Sequence, residues 1–220
     1  MLKNLLLLVL FCNCAYSQQK DSLGLIIKFD AAQLIDHASF PNLHFQVEKQ
    51  ISRNFSIIGG IGIQVDKSTE ADTSFVATRG LKLNLEARFY VSKRDNRRHP
   101  GHFVGVQAFY RANQKNQSLR YSTPSSTYYV DDFGVKKVIY GLNVMSGYQF
   151  IINEKKFPLI LEPSVGIGIM NRKVTNYDLQ YNRDIDEDAE NHSFTLPSNL
   201  ESASGFRPNF TIGMKIGYKF

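Results

Sequence analysis

The residues best suited to chemistry lie in an acidic run in the C-terminal part of the chain. The run contains Asp184, Asp186, Glu187, Asp188 and Glu190. Alternating carboxylates open a calcium-binding loop, which also requires Gly at its sixth position and a bidentate Glu at its twelfth. Counted from Asp184, those positions hold Ala189 and Thr195. The run is therefore interpreted as a solvated loop that could at most recruit divalent cations loosely.

A second candidate is the adjacent pair His192-Ser193, which follows Glu190 closely. Serine, histidine and a carboxylate are groups of nucleophilic catalysis, but the base must reach the nucleophile by a hydrogen bond. Adjacent residues in a loop rarely achieve that geometry. His99 and His102 flank a Pro-Gly turn and make a weak metal pair. We therefore predict no catalytic residue, no metal site and no bound cofactor.

The N-terminal residues are typical of a secretory signal, with a positive head, a short apolar run and small residues at the end. We expect residues 1–17 to be removed by cleavage after Ser17, leaving residues 18–220 as one domain. Cys12 and Cys14 both lie in the signal, so the exported chain would have no disulfide. An exported chain without cysteines suits a bacterial cell envelope.

The rest of the chain alternates between apolar and polar residues, and this period of 2 predicts strands with two different faces. The alternation is long in the final stretch, Arg207–Phe220. Its apolar positions are Phe210, Ile212, Met214, Ile216, Tyr218 and Phe220. A strand of this length that ends on two aromatic residues is typical of a strand crossing a bilayer in a barrel.

The alternation predicts eight strands in all. They cover about 24–32, 42–51, 55–65, 80–92, 102–112, 137–152, 157–170 and 207–220. The connections after the second, fourth and sixth strands have about 3, 9 and 4 residues, and the others have about 9, 14, 24 and 36. Short turns on one side and long loops on the other are typical of outer-membrane barrels. We therefore predict an all-β fold, an eight-stranded antiparallel up-and-down transmembrane β-barrel with short periplasmic turns and long extracellular loops.

The strand faces that would line the lumen combine glycines with charged residues. The charged residues are Lys28, Glu48, Glu86, Arg88, Glu162 and Lys215. A barrel of eight strands leaves a lumen that side chains can fill. Because acids and bases are equal in number, we expect a structural network of paired charges that plugs the lumen; a proton or ion pathway is the alternative. Pro163 falls within the seventh strand, where a closed barrel has no free edge, so we expect a bulge or a slipped register there.

Two surface features could contact partners. Lys93-Arg94 and Arg97-Arg98 form a basic run in a turn and could touch anionic headgroups or cell-wall polymer. Tyr128-Tyr129 in the third long loop could contact a protein partner. A solvated connection is the simpler interpretation of both. The formal net charge of +6 is modest and scattered, so no nucleic-acid partner is expected.

The signal, the eight two-faced strands and the terminal Ile216-Gly217-Tyr218-Lys219-Phe220 resemble the small bacterial outer-membrane β-barrel proteins. That porin-like family includes the OmpA membrane domain and OmpX. The resemblance implies a place in the outer membrane, in contact with its lipid and with lipopolysaccharide. It also implies that Tyr218 and Phe220 form the assembly signal read by the barrel-assembly machinery. No catalytic motif is carried over, and members of the family have diverse roles.

The expected function is that of an integral outer-membrane protein with a structural or interaction role through its extracellular loops and without enzymatic activity. Two alternatives stay open, a barrel enzyme that modifies lipid A or phospholipid and a small-solute pore. The enzyme requires a Ser/His/acid cluster at the lipid-facing rim, and the pore requires a continuous lumen. A soluble lipocalin-like barrel, the rival fold, requires apolar residues inside and polar residues outside.

Overall fold

A computed structural model describes residues 24–35, 41–52, 54–65, 79–91, 101–122, 128–152, 158–178 and 201–220. The strands are β1 (Leu25–Asp30), β2 (Asn42–Gln50), β3 (Phe55–Gln64), β4 (Arg79–Tyr90), β5 (His102–Ser122), β6 (Tyr128–Tyr148), β7 (Phe150–Ile152), β8 (Leu159–Tyr177) and β9 (Gly205–Lys219). Short 3-10 helices follow β1 at Ala31–Ile35 and precede β9 at Glu201–Ala203.

The strands form one antiparallel sheet that closes on itself. Neighbours follow the order β6, β5, β4, β3, β2, β1, β9 and β8, and β8 also pairs with β6 to complete the ring. β7 pairs with β8 in line with β6, so β6 and β7 are two segments of one strand. The described part of the chain is therefore an eight-stranded up-and-down antiparallel barrel. This confirms the fold class that the alternation predicts.

Exposed outward positions of the barrel strands are mostly apolar, and the lumen contains polar and charged side chains together with some apolar ones. In β2 the buried side chains are Asn42, His44, Gln46, Glu48 and Gln50, and the apolar side chains between them are Leu43, Phe45 and Val47. In β9, Phe210 and Ile212 are 71% and 72% exposed. A soluble lipocalin-like barrel requires the reverse arrangement and does not fit. We call the outward apolar surface the apolar belt.

The two ends of the barrel differ. We call the end with the connections 51–54, 91–101 and 153–158 the turn end, and the opposite end the loop end. Toward the loop end, the exposed outward positions become polar at Gln114 of β5, Lys136 of β6 and Lys173 of β8. These residues mark the limit of the apolar belt, and the strands continue beyond it.

The bulge or slipped register expected at Pro163 is wrong. Pro163 pairs with Met214 of β9 in an unbroken ladder. On the other side, the pairings of Ser164 to β6 and of Leu161 to β7 keep one register across the proline. Because proline has no N–H, the ladder is interrupted next to it, at Gln149, and this gap separates β6 from β7.

The loop predicted over residues 113–136 is also wrong. Pairing continues to Ser122 in β5 and resumes from Tyr128 in β6, so the two strands form a hairpin that extends past the apolar belt. Tyr128-Tyr129 therefore lies in a strand. β8 likewise continues to Tyr177, which shortens the last predicted loop. A hairpin outside the apolar belt needs no apolar face, so the alternation ends before the strands do.

Several sequence predictions concern residues outside the described part of the chain. They are the signal (1–17), the basic run 93–98 with His99, the acidic run 184–190 and the pair His192-Ser193. These stay predictions. Within the ranges given above, no helix is long and apolar enough to cross a membrane.

Candidate functional site

Charged side chains from five strands meet in the lumen. They are Lys28 of β1, Glu48 of β2, Glu86 and Arg88 of β4, Glu162 of β8 and Lys215 of β9, and none is more than 2% exposed. Each occupies an inward position, because every second residue of a strand points to the same face. The structure thus brings together all the residues predicted to form the lumen charge network. We call this group the ion network.

Arg88 holds the ion network together across the lumen. Its Nη1 and Nη2 donate to the two carboxylate oxygens of Glu162, both at 2.8 Å. Its Nε donates to Glu86 at 2.5 Å, and its Nη1 lies 3.8 Å from Glu48. The guanidinium also lies 3.9 Å from the centroid of the Phe103 ring. Two parallel bonds between guanidinium and carboxylate are a strong and directional geometry, so Arg88 fixes β4 relative to β8.

Lys28 and Lys215 complete the charge balance. The Nζ of Lys28 donates to both Glu48 and Glu162. The Nζ of Lys215 donates to Glu162 at 2.9 Å. Glu162 therefore accepts hydrogen bonds from cations on three strands. The ion network contains as many bases as acids, and this pairing offsets the cost of burying the charges.

Two neutral residues that the sequence did not single out also belong to the ion network. The hydroxyl of Tyr90 donates to Glu48 at 2.5 Å, and the Nε2 of Gln149 donates to Glu162 at 3.1 Å. Their inward positions follow from the alternation, but their partners lie on other strands. The fully buried apolar side chains include Ile26, Ile58, Phe103 and Ile160. Ile26 and Ile58 pair with Glu48 across β2, so apolar side chains fill the lumen at this level.

A small polar pocket lies on the loop-end side of the ion network. Its volume is about 40 Å³, room for roughly three water molecules, and Lys215 forms part of its wall. His44 faces it, with Nε2 2.9 Å from Asn84 Oδ1 and Nδ1 3.9 Å from Asp30. Among the described residues, Gln46 Oε1, Asn84 Nδ2 and Ser164 Oγ are buried atoms of the wall that have no hydrogen-bond partner. The pocket therefore offers both donors and acceptors to a small polar guest.

Four cations face inward at the loop end. They are Lys115 of β5, Lys137 of β6, Arg172 of β8 and Arg207 of β9, and we call them the cationic rim. Burial, followed by the charges of Lys115 and Arg172, lowers the pKa of Lys137 to about 8. Burial and then the charge of Arg207 lower the pKa of Arg172, and burial lowers that of Lys115. The cationic rim therefore concentrates positive charges that repel one another.

The described residues contain one exposed pair of the types used in nucleophilic catalysis. The Nε2 of His102 lies 3.1 Å from the Oγ of Ser146, at the turn end of the barrel. Within the described part of the chain, no carboxylate contacts His102, so the third group of a triad is missing from the pair. In the same residues, no group of three His, Cys, Asp or Glu side chains is placed to hold a metal.

The two C-terminal aromatic residues pack against each other at the turn end. The ring centroids of Tyr218 and Phe220 are 4.8 Å apart, with ring planes at 76°. The N–H of Phe220 donates to the carbonyl of Leu25 at 2.9 Å and ties the end of the chain to β1. Phe220 is 67% exposed, which leaves its ring accessible to a partner that reads the C-terminus. That role stays a prediction.

Strand pairing and lumen together define a closed antiparallel β-barrel with a charge-filled interior. The chain belongs to the family described as "Protein of unknown function (DUF3575)", whose model matches residues 5–201. No curated protein matches the chain. The specific resemblance to the OmpA membrane domain and OmpX stays a prediction.

Two solved structures are similar to the chain. The N-terminal β-barrel domain of Pseudomonas aeruginosa OprF is 11% identical with a TM-score of 0.36, over 90% of this chain and 98% of that one. Acinetobacter baumannii CarO is 12% identical with a TM-score of 0.43, over 91% of this chain and 99% of that one.

Proposed function

We propose that the protein is an integral barrel of the bacterial outer membrane, with a structural or interaction role and without enzymatic activity. The observation that carries the proposal is the apolar belt. Leu85 of β4, Ile169 of β8 and Ile212 of β9 are 60%, 61% and 72% exposed. Such a surface is unfavourable in water and favourable in hydrocarbon, and a closed barrel leaves no strand edge to lipid.

The turn end is assigned to the periplasm and the loop end to the cell exterior. Short periplasmic turns and longer extracellular loops are the usual arrangement of bacterial outer-membrane barrels. The exposed aromatic ring of Phe220 fits a position at a membrane interface, because aromatic girdles flank the apolar band at both interfaces. Lipid and lipopolysaccharide then surround the apolar belt, and the long hairpin of β5 and β6 is available to a protein partner.

A filled lumen supports a structural role over that of a pore. The ion network is fully buried, and a continuous path for solute would have to separate Arg88 from Glu162. Unpairing buried charges is costly. We therefore expect no steady conductance from the protein in planar lipid bilayers. A stable open channel formed by the wild-type protein would favour the pore alternative.

Membrane fractionation and surface labelling test the location and orientation. We expect the protein in outer-membrane fractions, with gel mobility that changes on heating. An epitope inserted at 123–127 should be labelled on intact cells, whereas an epitope inserted at 93–99 should be labelled only after permeabilisation. Recovery as a soluble protein in buffer without detergent would refute membrane integration. Reversed labelling would refute the orientation alone.

The pair His102–Ser146 makes a lipid-modifying enzyme the second candidate. The pair lies on the outside of the barrel, with Nε2 and Oγ 3.1 Å apart, where it could meet a lipid ester. Mass spectra of lipid A and phospholipid from cells with and without the protein test this function. We expect identical spectra. A product present with the wild-type protein and lost in the Ser146→Ala variant would establish enzymatic activity.

A further inference from the structure

The register of the strands builds the cationic rim. Lys137 lies opposite Asn113 of β5 and Val174 of β8. Lys115 is two residues from Asn113 along β5, and Arg172 is two residues from Val174 along β8. Both are therefore diagonal neighbours of Lys137. Diagonal neighbours on one face of a sheet are about 7–8 Å apart. Lys137 therefore has a cationic neighbour on each side, and Arg207 of β9 is in turn a diagonal neighbour of Arg172.

Arg172 and Arg207 are held at one corner of the mouth. The Nε of Arg172 and the Nη2 of Arg207 donate to the carbonyl of Ala203 at 3.0 and 3.4 Å. Ala203 ends the short 3-10 helix that precedes β9 and is 3% exposed. The contact orients both guanidinium groups and leaves the Nη groups of Arg172 for another acceptor.

Among the described side chains, no acid forms an ion pair with the cationic rim, and Asp178, just beyond β8, is exposed. The lumen acids Glu48, Glu86 and Glu162 are paired within the ion network. Asp30 lies lower, in the wall of the polar pocket. The Oε1 of Glu201 accepts the backbone N–H of Asn176 at 3.1 Å. Neighbouring positive charges with this little compensation favour binding of a polyvalent anion.

We infer that the loop-end mouth of the barrel binds a phosphate-bearing anion between Lys115, Lys137, Arg172 and Arg207. A guanidinium fork matches two oxygens of a phosphate, and each lysine supplies a point charge. Below the rim, Gln46 Oε1 and Ser164 Oγ line the polar pocket, have no partner among the described residues and can hold water that accompanies the anion. The phosphate could be a soluble ion or part of a lipid headgroup. The site goes beyond the proposed function and can be measured on the isolated barrel.

Calorimetric titration with inorganic phosphate tests the site, using folded protein in nanodiscs of zwitterionic lipid at pH 7. We expect saturable binding that weakens as NaCl is added. The double variant Lys137→Gln with Arg172→Gln should bind about tenfold more weakly or worse, because it loses two charge-assisted contacts. The matched control is Lys136→Gln with Lys173→Gln, which removes exposed lysines next to these positions on the same strands. We expect less than about a twofold change in the control.

Removing mutually repelling charges should leave the barrel folded, and heat-modifiable gel mobility checks this for both double variants. Absence of saturable phosphate binding by the wild-type protein, or equal loss in the two double variants, would overturn the site. Repeating the titration in nanodiscs that contain lipid A separates the sources. Unchanged phosphate binding identifies a soluble anion. If nanodiscs with lipid A abolish phosphate binding and nanodiscs with dephosphorylated lipid A restore it, the lipid headgroup is the ligand.

Discussion

Arg88 donates one hydrogen bond to each carboxylate oxygen of Glu162, and both bonds measure 2.8 Å. The two residues are 74 positions apart in the chain and lie on β4 and β8, which are not neighbours in the sheet. Their contact therefore couples two walls of the barrel that no backbone pairing connects. Because both side chains are fully buried, removal of either one leaves an uncompensated charge away from water.

Replacing Arg88 with Met measures how much this contact stabilises the barrel. The substitution leaves the three carboxylates of the ion network with only Lys28 and Lys215 as cations. Removing one partner of a buried ion pair costs about 3–5 kcal/mol. We expect a loss of this size in the free energy of unfolding, measured by urea titration of the protein in lipid vesicles.

Arg79→Met is the matched control, because Arg79 begins the same strand but is exposed. Its free energy of unfolding should change by about 0.5 kcal/mol or less. Equal losses in the two variants would contradict the structural role of the ion network. A change below about 1 kcal/mol for Arg88→Met would contradict it as well.

The adjacent residues Thr211 and Ile212 test the two faces of β9. Ile212 is 72% exposed on the apolar belt, whereas Thr211 lines the polar pocket. An arginine facing lipid near the midplane costs about 2–4 kcal/mol. Ile212→Arg should lose that much unfolding free energy in vesicles, and Thr211→Arg should escape the lipid penalty. Equal tolerance at the two positions would show that the faces are wrongly assigned.

Gly168 and Gly59 form a second matched pair. A Cβ on Gly168 would lie 1.9 Å from the backbone oxygen of Leu142, whereas a Cβ on Gly59 would meet nothing within 4 Å. Gly168→Ala should lower the free energy of unfolding by about 1–3 kcal/mol, because the backbone must shift. Gly59→Ala should leave it unchanged or raise it by up to about 1 kcal/mol. Similar values for the two variants, from the same urea titration, would argue against close packing as the reason for the lumen glycine.

The fold and the members of the ion network could be predicted because the alternation indicates both where a strand lies and which of its side chains face the lumen. Glu86 and Arg88 stand two positions apart in β4, so one strand pattern selects both for the lumen. Alternation does not say which residues meet across the barrel, because that depends on how the closed sheet is staggered. The contacts of Arg88 with Glu162 and of Tyr90 with Glu48 therefore required the structure.

The cationic rim could not be recognised from the sequence, for a physical reason. Beyond the apolar belt no lipid requires outward apolar residues, so the alternation ends near Gln114 although the strands continue. Lys115 falls in the stretch predicted as a loop. The position of a cation in a predicted loop does not indicate which residues lie near it. The pairing of β5 with β6, in contrast, places Lys115 beside Lys137.

Lys137 gives the cationic rim a pH dependence. Arg111 and Lys115 of β5 and Arg172 of β8 face it from the neighbouring strands. Burial, followed by the charges of Lys115 and Arg172, lowers its pKa from 10.5 to about 8. The unfolded chain therefore holds more protons than the folded protein between these values, and the contribution of Lys137 to the free energy of unfolding rises with pH across that window. A bound dianion favours the protonated lysine, so anion affinity should fall as the pH rises through about 8.

Sulfate is the suitable probe for this pH dependence, because it stays a dianion throughout the range. Calorimetry on the wild-type barrel in zwitterionic nanodiscs should show affinity falling by up to about tenfold between pH 7 and pH 9.5. Lys137→Gln should bind weakly at pH 7 and show a flatter profile, since the titrating group is gone. Lys136→Gln, which changes the neighbouring exposed lysine, should keep the wild-type profile. A wild-type profile as flat as that of Lys137→Gln would show that deprotonation of Lys137 does not control anion affinity in this range.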